Sequence, residues 1–281
     1  PRPLVSASTV VLVTVWVFIG IEGASVYSAR AARREDVGRA TVIGFLICLV
    51  LLMGVSLLSL GIMTQPQLAG LKNPSMAPVL EQVVGTWGAV LVYLGLIVSV
   101  GGGFLAWTLL AAESLFTPAG GGVMPAWLAK QNDKGVPAHA LWLTNGMVQI
   151  FLLLTLVSKA SYLALISLST AMILIPYLFS AVYGLRLAWQ GEGAEASHHP
   201  RRDAPIAALA SIYCMWLLYA AGLKYLLLSA LLYAPGAIVY LVALKQGAAR
   251  HFTPTEAVIL TALVILAMVA AAMLATGRLG L

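Results

Sequence analysis

The amino-acid sequence predicts an all-α polytopic membrane protein with about eight transmembrane helices, on three observations. Charge is scarce: 9% of the 281 residues are charged and 61% are hydrophobic, against roughly 25% charged in soluble domains. Mean hydropathy is +0.96. Seven charge-free stretches, 40–71, 82–112, 135–158, 160–185, 204–223, 225–244 and 257–277, each reach the roughly 20 residues that cross a bilayer as a helix. Backbone in lipid must satisfy its own hydrogen bonds, which leaves helices or closed barrels. No period-two alternation supports a barrel.

The spans follow in order. The first, 4–28, is an apolar run that contains one carboxylate and two nearby glycines. The second, 41–63, is uninterrupted. An outer loop over 64–82, with Pro66, Asn73 and Pro74, leads to the third span, 83–112. A polar segment over 113–137, "ESLFTPAGGGVMPAWLAKQNDKGVP", separates it from the fourth and fifth, 138–157 and 162–187. A mobile, exposed linker is expected over 190–204, where His198 and His199 read as solvated residues rather than metal ligands. The sixth and seventh spans are 205–222 and 225–244. The eighth, 256–276, opens on "TPTE" at residues 253–256, a capping box with Pro at the first helical position.

Basic residues mark the topology. Arg30, Arg33, Arg34 and Arg39 follow the first span, Lys130 and Lys134 the third, Arg201 and Arg202 the fifth, Lys245 and Arg250 the seventh. The other loops carry Lys72, Lys159 and Lys224. Alternate loops are therefore basic and cytoplasmic, which puts the C-terminus outside. The net charge of +6 reports this asymmetry and gives no reason to expect nucleic acid. Pro1 is not an initiator Met, and the first run lacks a basic lead and a cleavage site, so it reads as a span of a longer protein and not as a signal peptide. Cys48 and Cys214 lie within spans and read as packing residues.

The sharpest chemical signal is Glu22, in "FIGIEGASVYSARAARRED" over residues 18–36. A carboxylate within a span costs a few kcal/mol and usually faces a cavity or partner. The alternative is a place at the cytoplasmic interface. Gly20 and Gly23 each weaken a helix by about 1 kcal/mol relative to Ala, and broken helices near mid-membrane form the binding sites of many secondary transporters. Trp16 and Ile19 share a face one turn earlier, and unwinding at Gly20 would bring Glu22 to them. An indole over a planar guanidinium contributes about 0.5–2 kcal/mol. Ser25 reads as an assisting hydroxyl or a packing residue.

In the third span "SVGGGFLAWTLLAAES" places Trp107 four residues after Gly103, as a second aromatic wall or a packing indole. Glu113 is expected at an exposed cytoplasmic interface. In the fifth span, "SLSTAMILIPYLFS", Ser167, Ser169 and Thr170 carry hydroxyls that bond backbone or substrate. Pro176 removes the helical donor to the Met172 carbonyl, and Tyr177 follows it. No phosphate loop, catalytic triad or metal-ligand spacing occurs, so no cofactor and no enzyme activity are expected.

Three stretches match a known family in order: "VFIGIEGASVYSARAARREDVGRATVIGFL", "FLAWTLLAAESLF" with "MPAWLAKQNDKGVPAHAL", and "LIPYLFSA". The chain resembles basic amino-acid antiporters of the amino acid–polyamine–organocation superfamily, in their arginine–ornithine group, over helices six to thirteen. The resemblance implies the second of two inverted repeats over 4–187, with a broken first helix, and accessory helices over 205–276, all in one transmembrane domain. It implies substrate contact by Trp16, Ile19, Trp107 and Ser169, gating by Glu22, Trp107 and Tyr177, and a helix break at Gly20 and Gly23. It implies a bacterial inner membrane, cationic amino acids as substrates, and either a separate N-terminal half or a homodimer as partner. The expected function is arginine–ornithine exchange by alternating access. The alternatives are a lysine or other amino-acid or amine permease, or a non-transporting membrane subunit.

Overall fold

The computed structural model describes residues 7–28, 31–158, 162–190, 200–245 and 252–279. Eleven α-helices occur among them: α1 Ala7–Phe18, α2 Gly23–Val26, α3 Arg34–Ile62, α4 Gln65–Gly70, α5 Met76–Val84, α6 Thr86–Gly120, α7 Ala138–Ser158, α8 Tyr162–Gln190, α9 Pro200–Ala221, α10 Leu223–Lys245 and α11 Pro254–Ala275. A 3-10 turn covers Ala126–Ala129.

Six of these helices are long and apolar enough to cross a membrane: Glu35–Ile62, Thr86–Gly120, Tyr162–Gln190, Asp203–Ala221, Leu223–Lys245 and Pro254–Ala275. A seventh apolar stretch, Ala138–Leu153 in α7, is shorter. The first expected span is divided between α1 and α2.

Local chemistry explains the ends. Glu35 and Asp36 lie in the first turn of α3, where carboxylates offset the exposed amides. The expected loop over 64–82 instead holds α4 and α5. Thr64 N–H donates to Gln67 Oε1 at 2.8 Å, closing a capping box that starts α4, with Pro66 in the first turn. The capping box expected at the start of α11 is present. Thr253 N–H donates to Glu256 Oε2 at 2.8 Å, and Glu256 N–H donates to Thr253 Oγ1 at 3.3 Å.

The described residues form two compact units. The first gathers Pro1–Ile19, Gly122–Ala126 and Gln149–Leu281; the second gathers Gly20–Gly121 and Trp127–Val148. In the first, α8 is the central helix. Leu12, Ala171, Leu174, Leu217 and Ala221 join α1, α8 and α9 in one buried cluster. Leu168, Leu227, Leu228 and Ala270, with Leu279, join α8, α10 and α11 in another. Alanines at these contacts let the backbones approach, which matters where lipid supplies no hydrophobic drive between helices. Thr170, fully buried, donates to Ile166 O at 2.9 Å within α8. The same hydroxyl stands 3.2 Å from Leu12 O of α1.

In the second unit α2 packs on α3 and α6, and α5 packs on α3 and α6. The turn from α5 to α6 depends on glycine. A Cβ at Gly88 would lie 2.5 Å from Val84 Cγ2 and 2.9 Å from Leu80 O, so no side chain fits. α6 then runs 35 residues, about 52 Å, beyond the hydrocarbon thickness of a bilayer. Side chains such as Leu58 of α3 and Val98 of α6 are 71% and 76% exposed. That much bare apolar surface is untenable in water but ordinary against lipid tails, which are as apolar as leucine.

Candidate functional site

The candidate residues are set by how the chain leaves α1. The helix ends at Phe18, and Ile19 N–H reaches back three residues to Trp16 O at 3.1 Å, a tightened final turn. Trp16 stands one turn beyond the buried Leu12 and is 38% exposed, while Ile19 is half-buried. Both belong to the first unit, whose opening segment ends at Ile19.

Gly20 opens the second unit with φ +113°, a conformation that costs any other residue. Its N–H does not join the helical ladder. It donates to Glu22 Oε2 at 2.7 Å, a charge-assisted bond of the strong kind. Gly23 N–H closes the turn on Gly20 O at 3.0 Å. Glu22 O then accepts from Ser25 N–H at 2.7 Å and Val26 N–H at 3.2 Å, which starts α2.

Trp107 of α6 covers this turn. A Cβ added to Gly20 would lie 3.3 Å from Trp107 Cζ2 and 3.8 Å from Cη2. One turn further on, the same addition at Gly23 would meet Leu110 Cδ1 at 3.8 Å. Gly20 therefore answers two demands, the positive φ and the indole. Trp107 remains 47% exposed. Glu22 is half-buried, so its carboxylate is held by its own turn while keeping access to the surroundings. The second unit thus brings Gly20, Glu22, Gly23 and Trp107 together. A carboxylate and an exposed indole that share one glycine turn are chemically suited to a cation with a planar or apolar part.

The first unit holds the remaining candidates. Ser169 is exposed on α8, whereas its neighbours Ser167 and Thr170 are buried and bonded to backbone, Ser167 Oγ to Leu163 O at 2.8 Å. Tyr177 is half-buried. Pro176 lies inside α8, and the Met172 carbonyl it leaves without a helical donor accepts from Tyr233 Oη of α10 at 2.7 Å.

Glu113 corrects the sequence-based expectation. It is 6% exposed: α6 continues past the expected end at 112 to Gly120 and buries one side of its last turns, Ala112, Glu113 and Ala119. Thr117 Oγ1 donates to Glu113 Oε1 at 3.0 Å. Lys224 is exposed, with its Nζ 5.5 Å from the centroid of the Tyr225 ring. Ser25 is exposed as well. Among the described residues no group of three or more His, Cys, Asp or Glu side chains comes together to hold a metal. His198 and His199 lie outside the described residues. Tyr233 is not legible in the sequence as a partner; its signal is a hydroxyl carried into the middle of an apolar span, where a tyrosine O–H usually finds an acceptor.

The sequence matches the family model for amino acid permeases over residues 3–244. It is 54% identical over 267 residues to a protein named arginine/ornithine antiporter from Pseudomonas aeruginosa, covering 92% of this chain and 55% of the relative. It is 40% identical over 266 residues to a putative arginine/ornithine antiporter from Escherichia coli, covering 95% and 56%. It is 38% identical over 287 residues to an L-lysine transport protein from Corynebacterium glutamicum, covering 97% and 57%. The chain spans about half the length of the curated relatives it matches. No solved structure matches it.

Proposed function

This chain belongs to the amino acid permease family, and we propose that it forms part of a secondary-active carrier that exchanges arginine for ornithine. The observation that carries the reading is the turn at Gly20, whose amide binds the Glu22 carboxylate and whose α-carbon faces the Trp107 indole, within a predominantly apolar span. Two relatives carry arginine and ornithine in their names, at 54% and 40% identity. Both amino acids are cations at neutral pH, so one carboxylate serves either of them.

Each residue has its own part in this reading. Glu22 senses the positive end of the substrate and acts in gating. Trp107 closes over the break at Gly20 and Gly23. Trp16 stacks on the guanidinium, Ile19 and Ser169 contact substrate, and Tyr177 gates. Residues 4–187 form the second of two inverted repeats and 205–276 the accessory helices. The carrier works in a bacterial inner membrane, with a preceding half or a second copy as partner. Exchange follows from alternating access: a loaded site reorients readily and an empty one does not. No covalent step and no cofactor is required.

A second reading is lysine transport, favoured by the 38% identity to an L-lysine transport protein. Counterflow decides between the two. Liposomes bearing a carrier of the relatives' length that contains this chain are loaded with ornithine, lysine or buffer and given labelled arginine outside. Uptake driven by ornithine and not by buffer supports exchange. Counterflow confined to lysine would replace the reading, and uptake equal in all three would remove it.

A further inference from the structure

We infer that Tyr233 is a positioning residue: its hydroxyl stands in for the peptide N–H that Pro176 lacks and ties the proline turn of α8 to α10. In an unbroken helix residue 176 would donate to the Met172 carbonyl. Proline has no N–H, so that acceptor loses its helical partner. Tyr233 Oη, 61 positions along the chain, lies 2.7 Å from it. The neighbourhood makes the replacement necessary. Pro176 and Tyr233 both line a cavity of about 830 Å³ whose other walls include Ile175, Phe179, Ala230 and Leu263. Tyr240 and Glu256 also line it, and the other side chains around Tyr233 are apolar, so an unpaired carbonyl there would be costly.

The tie spans the two parts of α8 that the transport reading uses. Ser169 lies before Pro176 and Tyr177 directly after it. A helix whose hydrogen-bond ladder is interrupted at a proline can bend there, and a fixed carbonyl holds the direction of everything beyond it. Tyr233 thus couples α10, an accessory helix in the proposed division, to the helix that presents Ser169 and Tyr177. This functional part rests on the proposed exchange activity; the hydrogen-bond replacement does not.

A double-mutant cycle tests both parts. Y233F, P176A and P176A/Y233F are compared with the unaltered chain by thermal unfolding in detergent, and by exchange kinetics in a carrier containing the chain. P176A restores the missing N–H, and P176L does the same where P176A does not fold. Y233F is expected to lower Tm by about 2 °C, in the range of measured interhelical hydrogen bonds in membranes. It is expected to lower kcat for exchange about threefold with KM unchanged. In the P176A or P176L background both effects should vanish, because the hydroxyl is no longer needed. A Tm loss equal in both backgrounds, or absent with Pro176 present, overturns the replacement. A Tm loss without a change in kcat overturns the positioning role. If the unaltered carrier exchanges no arginine for ornithine, the transport reading falls, and the melting cycle still decides the hydrogen bond.

Discussion

Trp107 rests against Gly20 so closely that a single added carbon on the glycine would stand 3.3 Å from the indole. Two separate costs therefore meet in Gly20→Ala, the contact and the positive φ. The backbone part costs about 1–3 kcal/mol. Substitution should abolish most exchange and lower Tm. Shrinking the indole with Trp107→Ala should remove the contact cost and leave the φ cost. Thermal unfolding of G20A, W107A and the double variant measures the split, and an additive result would mean that the contact carries no energy.

Glu22 has two duties that separate by chemistry. Glu22→Gln keeps an oxygen that accepts from the Gly20 amide and removes the charge. Its Tm should stay within about 1 °C of the parent, while arginine uptake into ornithine-loaded liposomes should fall at least about tenfold, the scale of a lost hydrogen bond to a charged group. Glu22→Ala should lose both. Uptake by E22Q within about twofold of the parent would take the charge out of the mechanism.

Neighbouring hydroxyls on α8 should behave in opposite ways. Thr170 is fully buried and stands 3.2 Å from Leu12 O, so Thr170→Val should cost about 0.5–1.5 kcal/mol of stability. Ser169 is exposed, so Ser169→Ala should leave Tm within error and raise KM for arginine if it contacts substrate. Melting curves and saturation kinetics on the pair distinguish packing from contact.

Thr253→Ala removes the acceptor for Glu256 N–H at the start of α11. The loss should be about 1 kcal/mol, seen as a Tm drop of roughly 2–4 °C, with unchanged exchange kinetics at room temperature. A variant that melts with the parent would show that α11 is held by its packing on α8 and α10 and not by its cap.

Much of the helical layout is legible because composition and length decide it. Six of the eight expected spans recur as long apolar helices, and the capping box at 253–256 is readable letter by letter. The misses share a physical cause. Thr64 with Gln67 spells a helix start inside a stretch where Pro66 and Pro74 point to a loop, although proline suits a first turn. Glu113 reads as exposed if charge ends a span, whereas α6 buries that carboxylate and bonds it to Thr117. The vacancy left by Pro176 at the Met172 carbonyl follows from covalent structure alone. The donor that fills it, Tyr233, lies 61 residues away, and no local pattern encodes such a partner.

The 158-residue gap between Leu12 and Thr170 has a consequence for biosynthesis. At roughly 5–20 residues per second, the ribosome needs roughly 8–30 s after making α1 to deliver the helix against which α1 is buried. For that interval α1 must be sheltered by lipid or by the insertion machinery. Slowing translation ahead of α8 should lengthen the window in which nascent α1 is open to proteases and quality control.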